Sequence, residues 1–312
     1  MRVLLTGAGG MLGHGIADAW ARLRPDDQLI GVTRRDVDLR DDAGVAALMH
    51  ETRPDAVIHA AAVVGGIAAK IAEPTPYLLE NLALDSSVLR ASIAAQVPEL
   101  LYIGSAAIYP ESAVQPIDED AVLTGSLEAA NEGYALAKIA AGKVCEYASR
   151  QYGYAYKVAA PSNLYGPGDD FTLGHGHLVA AAIAKVHSAK AAGEDVVTIW
   201  GDGRARREFT FSIDLAEWLV GQVGRLSEWP ALLNLGTGDD HSITEYYEVA
   251  REIVGWDGEF VFDVSKPSGV ARRLLDSSRA RALGWNPSTP LSEGMRSSYE
   301  SFLAASTRNG TK

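Results

Sequence analysis

Cysteine is nearly missing from this chain of 312 residues: Cys145 stands alone. No intramolecular disulfide can form, and a cysteine-based metal centre lacks ligands, so no metal is expected. Long apolar runs are missing too, and nothing reads as a membrane span. A strand-like segment already begins at residue 2, so no signal peptide is expected. Positive charge is short: 28 Lys and Arg stand against 40 Asp and Glu, a net charge of −12. That balance speaks against a nucleic-acid partner, whose phosphates ask for a basic face, although a few local arginines can still hold a small anion. Internal repeats and low-complexity linkers are also lacking. What remains is a chain with 47% hydrophobic and 22% charged residues, the make-up of a globular protein with ample core. The expectation is a cytoplasmic protein without membrane or nucleic-acid partners.

The first half alternates short β-branched runs with helix-length segments. Strands are predicted at 2–6, 28–33, 55–60, 99–105 and 154–160, and helices near 11–23, 41–52, 75–96 and 131–151. Apolar strands without polar alternation, separated by helices, predict a parallel sheet covered on both faces. That is an α/β, doubly wound fold of Rossmann type, with ligands beyond the carboxyl ends of the strands. Past residue 165 the rhythm loosens. Helices at 177–192, 212–224 and 242–256 mix with short strands at 197–200, 208–211, 232–236 and 259–263. The expected division is a dinucleotide-binding domain over 1–164, its sheet completed by segments near 205–236, and a smaller substrate lobe over 165–312. The polar stretch 306–312 reads as a frayed tail.

Residues 6–13, TGAGGMLG, place Gly7, Gly10 and Gly13 directly after the first strand and at the opening of a helix. Gly7 permits the tight turn, Gly10 lets backbone approach a pyrophosphate, and Gly13 allows close packing of helix on sheet. The helix N-terminus then offers unpaired N–H groups to the anion. The second strand ends in VTRRD, where a site for NAD would show an acidic residue. Arg34 and Arg35 stand instead where a 2′-phosphate would sit, and guanidinium binds phosphate as a fork. NADP(H) is the expected cofactor, with Asp36 as a complication.

The run LLYIGSAAIYP releases Ser105 at the tip of a buried strand, followed by Ala106 and Ala107. Further on, NEGYALAK sets Tyr134 and Lys138 four residues apart, on one face of a helix. An ammonium beside a phenol favours the phenolate and is expected to lower its pKa from about 10, making Tyr134 a proton donor and acceptor. Ser105 would hydrogen-bond the substrate oxygen and hold it against Tyr134.

Gly7–Gly13, Asn81, Ser105, Tyr134 and Lys138 together resemble the extended short-chain dehydrogenase/reductases that modify nucleotide-sugars, and within them the GDP-L-fucose synthase family. The stretches AAVVGGIAAK (61–70), GSAAIYP (104–110), QPIDE (115–119), LEAANEGYALAKIAAGKVCE (127–146), SNLYGPGDDF (162–171), GHLVAAAIAKVH (176–187), WGDGRARREF (200–209) and SGVARRLLD (268–276) carry the likeness in order along nearly the whole chain. The resemblance implies a GDP-linked 4-keto-6-deoxyhexose as substrate, reduced at C4 by NADPH while Tyr134 protonates the oxygen with help from Ser105 and Lys138. It implies further cofactor contacts at Met11, Asp38, Leu39, Ala60 and Ala61. It maps nucleotide and diphosphate contacts onto Asn163, Lys185, Trp200, Arg207 and Arg272, where Lys185 is a point charge and an arginine would be a fork. It also implies a homodimer, built from the helices at 75–96 and 131–151.

The family also epimerises C3 and C5, using a cysteine two residues past the serine and a histidine. His177 matches the histidine, with His175 as a possible substitute on a glycine-flanked loop. The cysteine position holds Ala107, which cannot carry a proton, and Cys145 reads as a small core residue in the helix after Lys138. Reduction is therefore expected to survive while epimerisation is lost or reduced. DDF at 169–171 is a second departure, at a position where the family favours asparagine. A full 3,5-epimerase/4-reductase is the nearest alternative, followed by a nucleotide-sugar C4 epimerase and a non-catalytic NADP(H) sensor. A 4,6-dehydratase would need an acid pair where Ala106 and Ala107 stand.

Overall fold

The computed structural model describes residues 1–312 apart from His175, Pro267, Ser268 and residues 310–312, and omits the side chains of Ile67, Ala68, Arg308 and Asn309. His175, named above as a substitute base, thus lies outside the described residues. The amino-terminal half builds β1 (Arg2–Thr6), α1 (Met11–Leu23), β2 (Gln28–Val32), α2 (Asp42–Thr52) and β3 (Ala56–His59). It continues through α3 (Ile67–Ala72), α4 (Pro74–Ala94), β4 (Glu99–Ile103), α5 (Glu132–Tyr152) and β5 (Ala155–Pro161). The second half adds β6 (Asn163–Tyr165), α6 (Leu178–Ala192), β7 (Val196–Trp200), β8 (Arg206–Arg207), β9 (Phe209–Phe211) and α7 (Ser212–Gln222). It ends with β10 (Leu232–Leu235), β11 (His241–Ser242), α8 (Ile243–Val254), β12 (Glu259–Asp263), β13 (Arg272–Arg273), α9 (Ser278–Ala282) and α10 (Leu291–Asn309).

The central sheet runs β2-β1-β3-β4-β5-β10, every pair parallel. Its strands are apolar on both sides because helices cover both faces. Ile16, Ala19 and Trp20 of α1 and Leu215, Ala216 and Leu219 of α7 fill one face. Val45 and Met49 of α2, Val88 and Leu89 of α4, and Ala141 and Cys145 of α5 fill the other. The chain leaves β1 for β2 on one side and returns to β3 on the other. That reversal opens a crevice at the carboxyl ends of β1 and β3, where doubly wound sheets take their ligands. β10 comes from the second half of the sequence: β5 closes at Pro161 and β10 opens only at Leu232.

A second core lies beyond that edge, where Ile183 and Val186 of α6, Tyr246 of α8 and Met295 of α10 meet Ile199, Phe209 and Tyr165. The tail expectation is corrected over residues 306–309, which are helical and continue α10, while 310–312 lie outside the described residues. That helix is tied to the loop after β6: Ser301 Oγ accepts from the Gly168 N–H at 3.2 Å, and the Phe302 and Phe171 rings lie 4.9 Å apart. Among the described residues no helix is long and apolar enough to cross a membrane.

Candidate active site

At the carboxyl edge of the sheet the two cores face each other across a cavity of about 640 Å³. Its floor begins with the glycine loop. Gly7 has φ +74°, a conformation costly for any residue with a Cβ, and the Gly10 N–H returns to Gly7 O at 3.0 Å. A Cβ on Gly7 would fall 2.6 Å from Ala61 N, and one on Gly13 would strike Gly7 O and lie 2.8 Å from Ala8 Cα. Among the described residues no side chain caps the start of α1 and no acidic residue occupies its first turn, and Gly10 to Gly13 bring its first amides to the cavity wall. These features fit the pyrophosphate of a dinucleotide. Gly7, Gly10, Met11, Gly13 and Ala60 all line the cavity, whereas Ala61 backs the loop from behind.

Arg34, Arg35 and Asp38 are exposed in the turn after β2 and stand off the cavity wall, while Leu39 packs into the core beneath. The turn is joined to the glycine loop, since the Ala8 N–H donates to Val32 O at 3.2 Å. Asp36 is not directed at a ribose: its carboxylate accepts from the Thr33 N–H at 2.8 Å and Thr33 Oγ1 at 2.7 Å, which hold its pKa low. The Arg40 guanidinium binds Asp38 through both Nε and Nη2 and pulls that carboxyl down to about 2.

The carboxyl end of β4 delivers Ser105, whose Oγ caps the short turn 106–108 by accepting from the Ala107 N–H at 3.2 Å. Ser105, Ala107, Tyr134 and Lys138 all line the cavity. Lys138 Nζ donates to Ile103 O at 3.2 Å and stands 5.8 Å from the Tyr134 ring centre. Its charge is already answered, because Asp85 Oδ2 of α4 lies 3.9 Å away. Asp85 also accepts from Tyr102 Oη at 2.6 Å and meets His59 Nε2 at 3.0 Å, while His59 Nδ1 meets Thr6 Oγ1 at 2.7 Å. Burial raises the Asp85 carboxyl, but Lys138 and these two partners outweigh it and the group stays below its ordinary range. The expectation of a phenol made acidic by Lys138 is therefore corrected. Burial pushes the Tyr134 hydroxyl above its usual value, against a hydrogen bond with Ser105 that pulls it down. At neutral pH Tyr134 is a phenol with a proton to give.

His177 sits at the N-cap of α6, half-buried on the same wall, and burial, aided by the charge of Lys70, pulls its imidazole down to about 4. Asn163, Lys185, Trp200 and Arg207 line the far end. Lys185 Nζ donates to Thr198 O at 3.3 Å and stands 5.5 Å from the Trp200 ring centre. Arg272 is a correction: it leaves the cavity and binds Asp240, with its side chain 45% exposed. Successive residues of a strand point to opposite faces, so Arg273 takes the cavity position. It is 8% exposed, with Nη1 donating to Tyr109 O at 3.2 Å. Asn81 is structural, since its side chain closes on both Val63 backbone groups, at 2.9 and 3.0 Å. Cys145 is fully buried in the core under the sheet, and burial pushes its thiol up.

Besides Arg273, the polar cavity residues that sequence reasoning missed include Lys70, Asn131 and Asp169. Lys70 of α3 points into the site, and so do Asn131, to which it donates at 3.0 Å, and Asp169. Among the described residues Asp169 Oδ2 has no hydrogen-bond partner, and burial pushes that carboxyl up to about 7. Only DDF in the sequence signalled Asp169. No group of three or more metal-ligating side chains converges among the described residues.

Residues 3–228 match the NAD dependent epimerase/dehydratase family. The chain is 39% identical over 305 residues to the GDP-L-colitose synthase of Yersinia pseudotuberculosis, covering 97% of this chain and 98% of that one. It is 39% identical over 302 residues to the GDP-L-fucose synthase of Azorhizobium caulinodans, covering 97% and 96%. The solved GDP-mannoheptose C4 reductase of Campylobacter jejuni with NADP bound superposes with a TM-score of 0.86 at 29% identity, covering 97% and 98%.

Proposed function

Because the chain belongs to the NAD dependent epimerase/dehydratase family, we propose that it is an NADPH-dependent oxidoreductase reducing the C4 ketone of a GDP-linked 4-keto-6-deoxyhexose. The observation that carries this reading is the meeting of Ser105, Tyr134 and Lys138 with the glycine loop in one cavity that also holds Arg207 and Lys185. The first half of the chain is the cofactor lobe, with β10 borrowed for its sheet, and the remainder is the sugar-nucleotide lobe. Gly7, Gly10 and Gly13 give the backbone room for the pyrophosphate, and the open amides of α1 take its charge. Arg34 and Arg35, exposed beside that loop, take the 2′-phosphate. When bound, NADPH supplies the hydride that C4 accepts. Ser105 holds the ketone oxygen, Tyr134 gives it a proton, and Lys138 fixes the phenol's orientation from beneath. Lys185 and Arg207 bind the diphosphate, and the Trp200 face suits the nucleobase.

Epimerisation at C3 and C5 requires a base on one face and an acid on the other. His177 is neutral at pH 7 but a weak base with its pKa pulled down to about 4, and Ala107 leaves the thiol position without a proton carrier. The expected product is a simple C4 reduction with C5 unchanged. The test is NADPH oxidation against a panel of nucleotide-linked 4-ketosugars in D₂O, with product identification by NMR. Deuterium at C3 or C5 before hydride transfer would restore the full epimerase/reductase reading. Equal turnover with NADH would overturn the assignment of Arg34 and Arg35, and no turnover of any GDP-linked ketone would overturn the substrate class.

The reading includes a homodimer through α4 and α5. Leu79 is 58% exposed, Leu136 42% and Tyr147 49%, which is much apolar surface for two adjacent helices to leave in water. Sedimentation should give twice the mass of the chain, and a monomer at every concentration refutes the pairing.

A further inference from the structure

The site contains a cation that the Ser105, Tyr134 and Lys138 set leaves unexplained. Lys70, in the last turn of α3, is 8% exposed and reaches into the cavity. Its Nζ stands 4.7 Å from the centre of the Tyr134 ring, closer than Lys138 Nζ at 5.8 Å. Asn131 Oδ1 accepts one of its protons at 3.0 Å. Glu128 is the acidic group that acts on it from a distance, and that carboxylate is already engaged by Asn131 Nδ2 at 2.7 Å and by Arg273 at 3.6 Å. Lys138, in contrast, has Asp85 as its own counter-charge. A buried ammonium held against a ring by a neutral amide keeps more of its field than one already paired with a carboxylate.

We propose that Lys70 is a second positioning cation for the proton-donating phenol, supplying the positive field under which Tyr134 releases its proton during ketone reduction. The inference rests on the reading of the preceding subsection. In that step the C–H bond that bound NADPH would give up, leaving NADP⁺, becomes the new C–H bond at C4 of the ketone, and the carbonyl π pair moves onto oxygen. The Tyr134 O–H bond breaks to protonate that oxygen, which leaves a phenolate. The negative charge appears on the phenol whose ring centre lies 4.7 Å from Lys70 Nζ, so the ammonium stabilises the product side of the proton transfer more than its start. A unit charge about 5 Å from the ring centre of a half-formed phenolate is worth about 10- to 100-fold in rate at protein-like dielectric.

Titration gives the inference a signature. Burial pulls the Lys70 ammonium down to about 8, against the opposing influence of Glu128. The other titratable groups around it are Tyr134 of α5 and His177 at the start of α6, while Tyr77 of α4 turns its hydroxyl to Gly65. The ammonium is present below about pH 8 and lost above it, so wild-type kcat should fall on the alkaline side of that value.

The experiment measures kcat from pH 6.5 to 9.5 with saturating NADPH and GDP-4-keto-6-deoxymannose. Lys70→Met should lose about 10- to 100-fold in kcat, with a flat profile across pH 7–9 and NADPH affinity kept, which shows that the protein is folded. Lys70→Arg should keep most of the rate and carry it past pH 9, because guanidinium does not titrate there. A Met variant within twofold of wild type, or the wild-type alkaline fall persisting in both variants, overturns the role. The ¹³Cε resonance of Lys70, assigned by its loss in the Arg variant, tests the charge without substrate: an ammonium still protonated at pH 7.5 supports the role, and titration below 7, which would leave a neutral amine during turnover, overturns it. Wild-type protein inactive on the sugar would refute the substrate reading instead, and the lysine titration would still judge Lys70.

Discussion

Tyr134→Phe should lower kcat for ketone reduction by about 10³-fold or more while leaving NADPH binding within a few-fold of wild type. The substitution removes one oxygen and keeps the ring, so the packing of Lys70 and Lys138 against it survives. What disappears is the proton that the ketone oxygen needs as C4 takes up hydride. Ser105 can polarise that oxygen but cannot replace the phenol, since its own Oγ is oriented by the Ala107 N–H. Burial above the ordinary phenol range strengthens the expectation, because it keeps the donor protonated at every pH at which the enzyme would be assayed. Stopped-flow NADPH oxidation with cofactor fluorescence on the same samples separates chemistry from binding. A variant within tenfold of wild type would mean that another group delivers the proton.

The second large effect is expected at Gly13. In Gly13→Ala the new methyl would meet Gly7 O and lie 2.8 Å from Ala8 Cα. Both are backbone atoms, with no side chain to rotate away, so the loop itself must open. That moves the amides that face the pyrophosphate. NADPH affinity should fall by about 100-fold or more, and stability by about 1–3 kcal/mol, the usual cost of forcing a methyl into a filled site. Gly9→Ala is the control. Its Cβ would meet Thr33 Cγ2 at 3.5 Å, an ordinary contact, and the variant should bind NADPH nearly as wild type. Equal behaviour of the two in fluorescence titration and thermal melts would show that loop geometry does not limit binding.

The parts of this molecule that were legible in the sequence are those repeated over many residues. Strands such as LLYI and AVIH are buried on both faces and bounded by helix-length segments, so the bounds of the first five strands could be anticipated to within a residue or two. The glycine spacing, the serine at a strand tip and the tyrosine–lysine helix each carry a local reason for their pattern. What could not be read depends on register or on distance in the chain. Arg272 and Arg273 are neighbours in a two-residue strand, and nothing in ARRL tells which one faces the cavity until β13 pairs with β8. Lys70 lies in a run of small residues that gives no periodic signal for its six-residue helix. Asp85 and His59 sit 26 positions apart, and the ion cluster they form beneath Lys138 exists only once α4 lies on β3 and β4. The last helix, LSEGMRSSYESFLAASTRN, has too few apolar positions to announce itself, and it is held by specific contacts such as Phe302 on Phe171.

The sheet's sixth strand has a consequence for the chain as it emerges from the ribosome. Five of the six strands have been synthesised by Pro161, but β5 keeps one row of amides and carbonyls bare until Leu232–Leu235 arrive. During that interval a growing polypeptide exposes a sticky ribbon to any neighbour on the same polysome. The late strand thus closes the edge that the earlier five leave open.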